Sequence, residues 1–232
     1  MLNIFAIVLI AVSPCAFWLW VIYLGDRCKP RQKRLMVRTF LLGLVVAAPV
    51  ALIESSLYPG SVQQTLSVGT AFYVAFVVAG VTEETSKFLV VRLGAYNSVS
   101  FNQPEDGLIY AASAALGFAS LENIIYVTNF GFQVILIRGL FSNLAHVLFS
   151  SMWGYPLALT KLGRIKNKFF TYGGLAAAVI AHGLFDFLFF TGTGYTYLVI
   201  PFFLAMAAVF VLMMRHANKI STCQLKSPTA SR

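Results

Sequence analysis

Charged side chains are scarce in this sequence. They make up 11% of its 232 residues, under half the share usual in a soluble domain, which excludes an ordinary water-exposed globule. Cysteine is scarce too. Cys15, Cys28 and Cys223 form neither a disulfide framework nor a C-x-x-C metal pair, and they read as packing or solvent-facing thiols. No H-E-x-x-H segment occurs, so the usual helical zinc-protease motif is excluded. There is no internal repeat, no low-complexity tract and no soluble domain of useful size. The first residues lack a positive n-region and a small-residue cleavage site, so they are expected to form a retained first helix rather than a cleaved leader.

What is plentiful is apolar surface: 59% of the residues are hydrophobic and the mean hydropathy is +0.79. This predicts an all-α polytopic membrane protein, a single transmembrane helical domain over residues 1–232. Seven helices are expected, each near the ~20 residues that cross the hydrocarbon core. They are Leu2–Leu24, Met36–Tyr58, Leu66–Val91, Glu105–Val127, Phe132–Leu159, Phe169–Phe190 and Tyr195–Met214.

The net charge of +9 is no sign of a nucleic-acid partner, because of where the cations lie. Arg27, Lys29, Arg31, Lys33, Arg34 and Arg38 follow the first helix, and Lys87 and Arg92 end the third. Lys161, Arg164, Lys166 and Lys168 follow the fifth, and Arg215, Lys219, Lys226 and Arg232 follow the seventh. In an alternating bundle these all fall on one face, where they meet anionic lipid and set orientation. The N-terminus is therefore expected outside and the C-terminus cytoplasmic, with residues 215–232 as a short basic tail.

Glu83, Glu84, Glu122, His146, His182 and Asp186 interrupt four of the apolar runs. A carboxylate near a bilayer centre costs about 2.5–3.5 kcal/mol on insertion scales, so such groups are expected to face one another in a polar cavity. Glu83 and Glu84 stand four and three residues before Lys87, so either acid can pair with it. Arg138, Ser142, His146 and Ser150 form a polar stripe at i,i+4 spacing, bordered by Asn143, and His182 and Asp186 are again i,i+4. From a rise of 1.5 Å per residue, Glu83 should lie roughly 6 Å to the cytoplasmic side of its helix centre and Glu122 roughly 7 Å to the outer side. Each group alone has a plainer explanation: a snorkelling cluster, an interfacial acid, an interhelical hydrogen bond. Their presence together on four helices points to chemistry. Ser113 and Gly117 allow close helix approach. Glu54 reads as a packing or interface residue, and His216 as solvated or lipid-facing.

These residues carry a resemblance. Glu83-Glu84-x-x-Lys87, Asp106-Gly107, Gly117-Phe118 through Glu122-Asn123, Arg138 with His146, and His182-x-x-x-Asp186 together resemble the PrsW family of intramembrane proteases. That family lies within the larger group of CAAX-processing and bacteriocin-processing membrane proteases. The resemblance spans about residues 79–190, with the catalytic core at about 66–190. It implies hydrolysis of a peptide bond in a membrane-anchored protein, such as an anti-sigma factor, in a bacterial inner membrane. It implies Glu83, Glu84, Glu122, His146, His182 and Asp186 as catalytic, with Lys87, Asn123 and Arg138 in support. Either Glu83 and the imidazoles activate water alone, or His146, His182 and Glu122 hold a divalent ion such as zinc. Two other functions fit the same polarity: a proton-coupled transporter and a non-catalytic membrane binding protein. Paired halves, the usual mark of such transporters, are missing.

Overall fold

A computed structural model of the chain describes residues 3–25, 33–58, 60, 66–192 and 194–221. Arg27, Cys28, Lys29, Arg31, Cys223, Lys226 and Arg232 lie outside these residues. Seven helical rods run through the described part. They are α1 (Ile4–Gly25), α2 (Lys33–Leu57), α3 (residues 68–94), α4 (Pro104–Phe130), α5 (Val134–Lys161), α6 (Phe169–Phe190) and α7 (Val199–Ile220). Six of them, α3 apart, are long and apolar enough to cross a membrane on length and composition. α3 is the rod that carries Glu83, Glu84 and Lys87.

Helix α4 is the axis of the bundle. Its residues from Pro104 to Ser120 are all buried, and α1, α2, α3, α5 and α7 pack around it. Small side chains make this possible, since they let backbones approach closely in lipid. A Cβ on Gly117 would overlap the Phe40 carbonyl oxygen of α2, and one on Gly107 would overlap the Gly154 carbonyl oxygen of α5. The Ser113–Gly117 spacing therefore marks a contact with α2. The start of α4 is fixed by a capping box, in which Asp106 Oδ2 accepts from the Gln103 amide at 2.7 Å. α1 and α7 are peripheral and expose most of their surface.

The expected helix ends hold to within a few residues except at α7. The segment Gly194–Leu198 is a short 3₁₀ turn, and the helix runs on to Ile220 instead of stopping at Met214. The reason is packing. Ala217 is buried, and Tyr155 Oη lies 2.5 Å from His216 Nδ1. Residues 215–220 thus continue α7 and have protein to lean on, while 222–232 of the expected basic tail lie outside the described residues. His216 is exposed, yet its ring ties α7 to α5.

Two rods are not uniform. Within α3, Tyr73–Val81 is π-helical, and within α5, Arg138–Ser142 is π-helical. A π turn takes in an extra residue, which swings whatever follows around the axis by about 100°. Glu83 and Glu84 follow the first of these segments and His146 follows the second.

Candidate active site

Regular helices would leave Glu83 and Glu122 at different depths. In the fold they share a neighbour that spans the gap. His146 Nε2 lies 3.0 Å from Glu122 Oε2, and His146 Nδ1 lies 3.7 Å from Glu83 Oε2. His182 is placed in the same way. Its Nδ1 lies 3.2 Å from Glu84 Oε1 and its Nε2 lies 3.7 Å from Glu83 Oε2. Each imidazole is thus held at one nitrogen by an outer carboxylate and turns the other toward Glu83. The two rings meet edge to face, 5.2 Å between centroids.

Lys87 is wholly buried and lies beneath this arrangement. Its ammonium donates to Glu83 Oε2 at 2.8 Å and Glu84 Oε1 at 3.1 Å, and His146 Nδ1 is 3.0 Å away. Three hydrogens meet three acceptors, which leaves no bare charge in the apolar interior. With Lys87 donating to Nδ1, His146 carries its proton on Nε2 and gives it to Glu122. Lys87 also stands over the Phe118 ring at 4.4 Å. Such a cation–π contact helps a desolvated ammonium tolerate its site.

Around this centre the elements divide the work. Glu84 is wholly buried and accepts from Ser150 Oγ at 2.9 Å and Trp153 Nε1 at 3.0 Å, both on α5. It does not line the cavity; it anchors His182 from behind. Arg138 donates to Glu122 Oε2 at 2.7 Å and to Asn123 Oδ1 at 3.0 Å, with its guanidinium 3.8 Å from the Tyr126 ring. Asn123 Nδ2 in turn reaches Asn143 Oδ1 and the Ala11 carbonyl, each at 3.1 Å, and so joins α1, α4 and α5. Asp186 Oδ2 lies 3.5 Å from His182 Nε2, and Asp186 is the more exposed of that pair.

A cavity of about 330 Å³ opens onto Glu83, Glu122, His146, His182 and Asp186. Its other walls include Tyr58 and Ser55 near the end of α2 and Phe190 at the end of α6. Those ends lie opposite the basic loops, so this part of the lining is toward the face with few cations. Glu54 does more than pack: it also lines this cavity, and its Oε1 lies 2.7 Å from Thr82 Oγ1.

Glu83, His146 and His182 each offer a donor atom within 4.8 Å of the others, and all three are buried. One carboxylate oxygen and two imidazole nitrogens suit a zinc-like ion with a position left for water, and for such an ion to bind, Lys87 has to release His146 Nδ1, the nitrogen whose lone pair the ion would take. The acids at the far nitrogens are what such ligands require for orientation. Glu122, expected in this set, instead meets Arg138 and His146 Nε2 through its Oε2, and the candidate group has Glu83 in its place. Sequence reasoning passes over Trp153, although it follows Ser150 by three residues and so extends the stripe of His146 and Ser150.

A sequence model described as PrsW family intramembrane metalloprotease matches residues 31–214, from just before α2 to well into α7. The protein named Protease PrsW from Clostridioides difficile (strain 630) is 32% identical over 197 residues, covering 81% of this chain and 79% of that protein. Protease PrsW of Bacillus subtilis (strain 168) is 29% identical over 200 residues, covering 85% and 89%. Protease PrsW of Geobacillus kaustophilus (strain HTA426) is 27% identical over 227 residues, covering 98% and 99%. No solved structure matches the chain.

Proposed function

The chain belongs to the PrsW family of intramembrane metalloproteases, and from that premise we propose that Glu83, flanked by His146 and His182, activates the water that cleaves a peptide bond of a membrane-anchored protein. The chain is an intramembrane endopeptidase, an integral protein of the bacterial cell membrane. The transporter and binding-protein alternatives give way to that membership.

One observation carries the assignment of roles: both imidazoles are fixed at one nitrogen by an outer acid, and the other nitrogen of each lies 3.7 Å from the same Glu83 Oε2, beside Lys87 for His146 and beside Asp186 for His182. Peptide hydrolysis needs a proton acceptor for water, a stabiliser for the oxyanion and a donor for the leaving amine. Glu83 is the acid that faces both imidazoles and the cavity, so it takes the proton of the water. Lys87 keeps the carboxylate aimed by donating to Oε2. His182, oriented by Glu84 at Nδ1, turns Nε2 toward Glu83 and Asp186, from where it would polarise the scissile carbonyl. His146, oriented by Glu122, borders the other side of the same space.

In the metal-assisted form of the reaction, Glu83, His146 and His182 would hold the family's metal, Glu83 through one carboxylate oxygen so that its other oxygen can still take the water's proton. Zinc is the ion that their donor types favour, since carboxylate oxygen and imidazole nitrogen are common zinc ligands. Such an ion supplies Lewis-acid polarisation of a water or of the scissile carbonyl. The substrate we infer is a single-span protein whose cleavable segment enters the cavity from the face away from the basic loops. An anti-sigma-factor-like protein has that form.

The test is cleavage of a single-span reporter protein in proteoliposomes. Glu83→Ala and His182→Ala are expected to insert normally and to leave the reporter intact. Full activity in the Glu83→Ala protein would remove Glu83 from the chemistry.

A further inference from the structure

None of the groups assigned to the chemistry lies on α2, yet one side chain of α2 reaches the segment that aims Glu83. Thr82 sits at the seam where the π segment Tyr73–Val81 gives way to the regular helix Thr82–Gly94. The next residue is Glu83. At this seam the carbonyls of the π turn are offset from the amides that would serve them in a regular helix. The Thr82 hydroxyl lies against two of those carbonyls, Val78 O and, at 3.3 Å, Ala79 O. From α2, Glu54 Oε1 lies 2.7 Å from the same hydroxyl.

A hydroxyl has one hydrogen and two lone pairs. That hydrogen is therefore shared between the π carbonyls and Glu54 Oε1. A carboxylate or an amide oxygen at position 54 accepts it, whereas a methyl group cannot. Glu54 is half-buried within the last turn of α2, where it lines the cavity as well as meeting Thr82. Its bond to Thr82 ends one residue from the central acid.

We propose that Glu54 is a positioning residue for the reaction. Acting through Thr82, it pins the seam of α3 and so sets the direction from which Glu83 meets water and the two imidazoles. The inference rests on the reading of Glu83 as the activating acid. It extends the working machinery to α2. A shift of about 1 Å in a reacting group can cost a hundredfold in rate without loss of the fold.

The experiment measures kcat and KM for a single-span reporter that the wild-type chain cleaves in proteoliposomes. Glu54→Ala and Thr82→Val are each expected to lower kcat roughly tenfold to a hundredfold, with KM changed by no more than about twofold. Glu54→Gln and Thr82→Ser are expected to recover most of that loss. The double variant Glu54→Ala with Thr82→Val is expected to be no worse than the poorer single, because both remove one interaction. Unfolding midpoints in detergent, measured on the same preparations, are expected to stay close to wild type.

Several results overturn the proposal. A rise in KM at unchanged kcat in Glu54→Ala would make Glu54 a substrate contact. Multiplied effects in the double variant would make the two residues independent. Activity losses that follow the unfolding midpoints would make the bond merely structural. Glu83→Gln separates this inference from the reading beneath it. If that variant is active, the role of Glu83 fails; if it is inactive while Glu54→Ala cleaves at the wild-type rate, only the role of Glu54 fails.

Discussion

Trp153 donates its indole N–H to Glu84 Oε2 at 3.0 Å across 69 residues of sequence, and both side chains are wholly buried. This bond sits directly behind the site, at the residue next to Glu83 that also holds His182. Its removal leaves a carboxylate in an apolar interior with one donor fewer. Trp153→Phe keeps most of the ring volume and should cost about 1.5–3 kcal/mol, the range for hydrogen bonds to charged groups. Reversible unfolding in mixed detergent micelles would measure it, and a loss below a few tenths would mean that Ser150 and Lys87 suffice for Glu84.

The outer acids should control metal affinity without touching the metal. Glu84 holds His182 Nδ1 and Glu122 holds His146 Nε2. Partners of this kind typically govern affinity by 10–100-fold. Glu84→Gln and Glu122→Gln are expected to weaken zinc binding by roughly that factor, while His182→Ala should abolish stoichiometric binding. Elemental analysis and calorimetry on purified protein give the answer. Equal zinc content in wild type and His182→Ala would place the ion elsewhere.

Among the described residues, Lys87 is the cation that contacts Glu83, Glu84 and His146 at once. Lys87→Met leaves those groups without it. Breaking a buried ion pair from one side costs about 3–5 kcal/mol. The variant should therefore insert poorly and appear at low abundance. Normal yield and a wild-type unfolding midpoint would contradict the geometry.

Gly117 should tolerate no side chain. A Cβ there would press on the Phe40 carbonyl of α2, and backbone cannot move aside as a flexible side chain can. Gly117→Val is expected to separate α2 from α4 at a cost of about 1–3 kcal/mol or more. The same measurement on Gly173→Val, where a Cβ meets nothing within 4 Å, should show a much smaller loss.

The π segment of α5 has its own clamp, supplied by a helix outside the part of the chain that the family's sequence model matches. Trp18 of α1 donates its indole N–H to the Gly139 carbonyl at 2.8 Å, and Pro14 lies close to Gly139. Trp18→Phe should lower stability by about 1 kcal/mol and slow cleavage through His146. An unchanged rate would leave α1 with a packing role alone.

Much of this is legible in the amino-acid order. Apolar runs of bilayer length, split by short basic loops, mark the rods because the hydrocarbon core fixes their length. Phe169–Phe190 is even bounded as expected. Lys87 is legible as the partner of Glu83 and Glu84, since i,i+3 and i,i+4 neighbours share a helix face. What cannot be read is everything that depends on helical phase. The π segments before Glu83 and His146 change the phase of α3 and α5, and no residue pattern in Tyr73–Val81 announces this. For that reason spacing alone leaves interchangeable the three roles we propose: Glu83 as central acid, Glu84 as hidden anchor and Glu122 as outer support. Glu54 is visible as an acid in an apolar run, but its partner Thr82 lies on another helix, and a single sequence does not reveal that pairing.

The composition of α3 bears on how the chain enters the bilayer. With Glu83, Glu84 and Lys87 in its second half, it is the rod least able to rest alone in lipid. Glu84 finds its partners Ser150, Trp153 and His182 on α5 and α6, which are synthesised later. Helix α3 is therefore expected to settle in the bilayer only together with those downstream helices. A chain truncated before α6 should then leave α3 accessible to water, which labelling at its polar half would read.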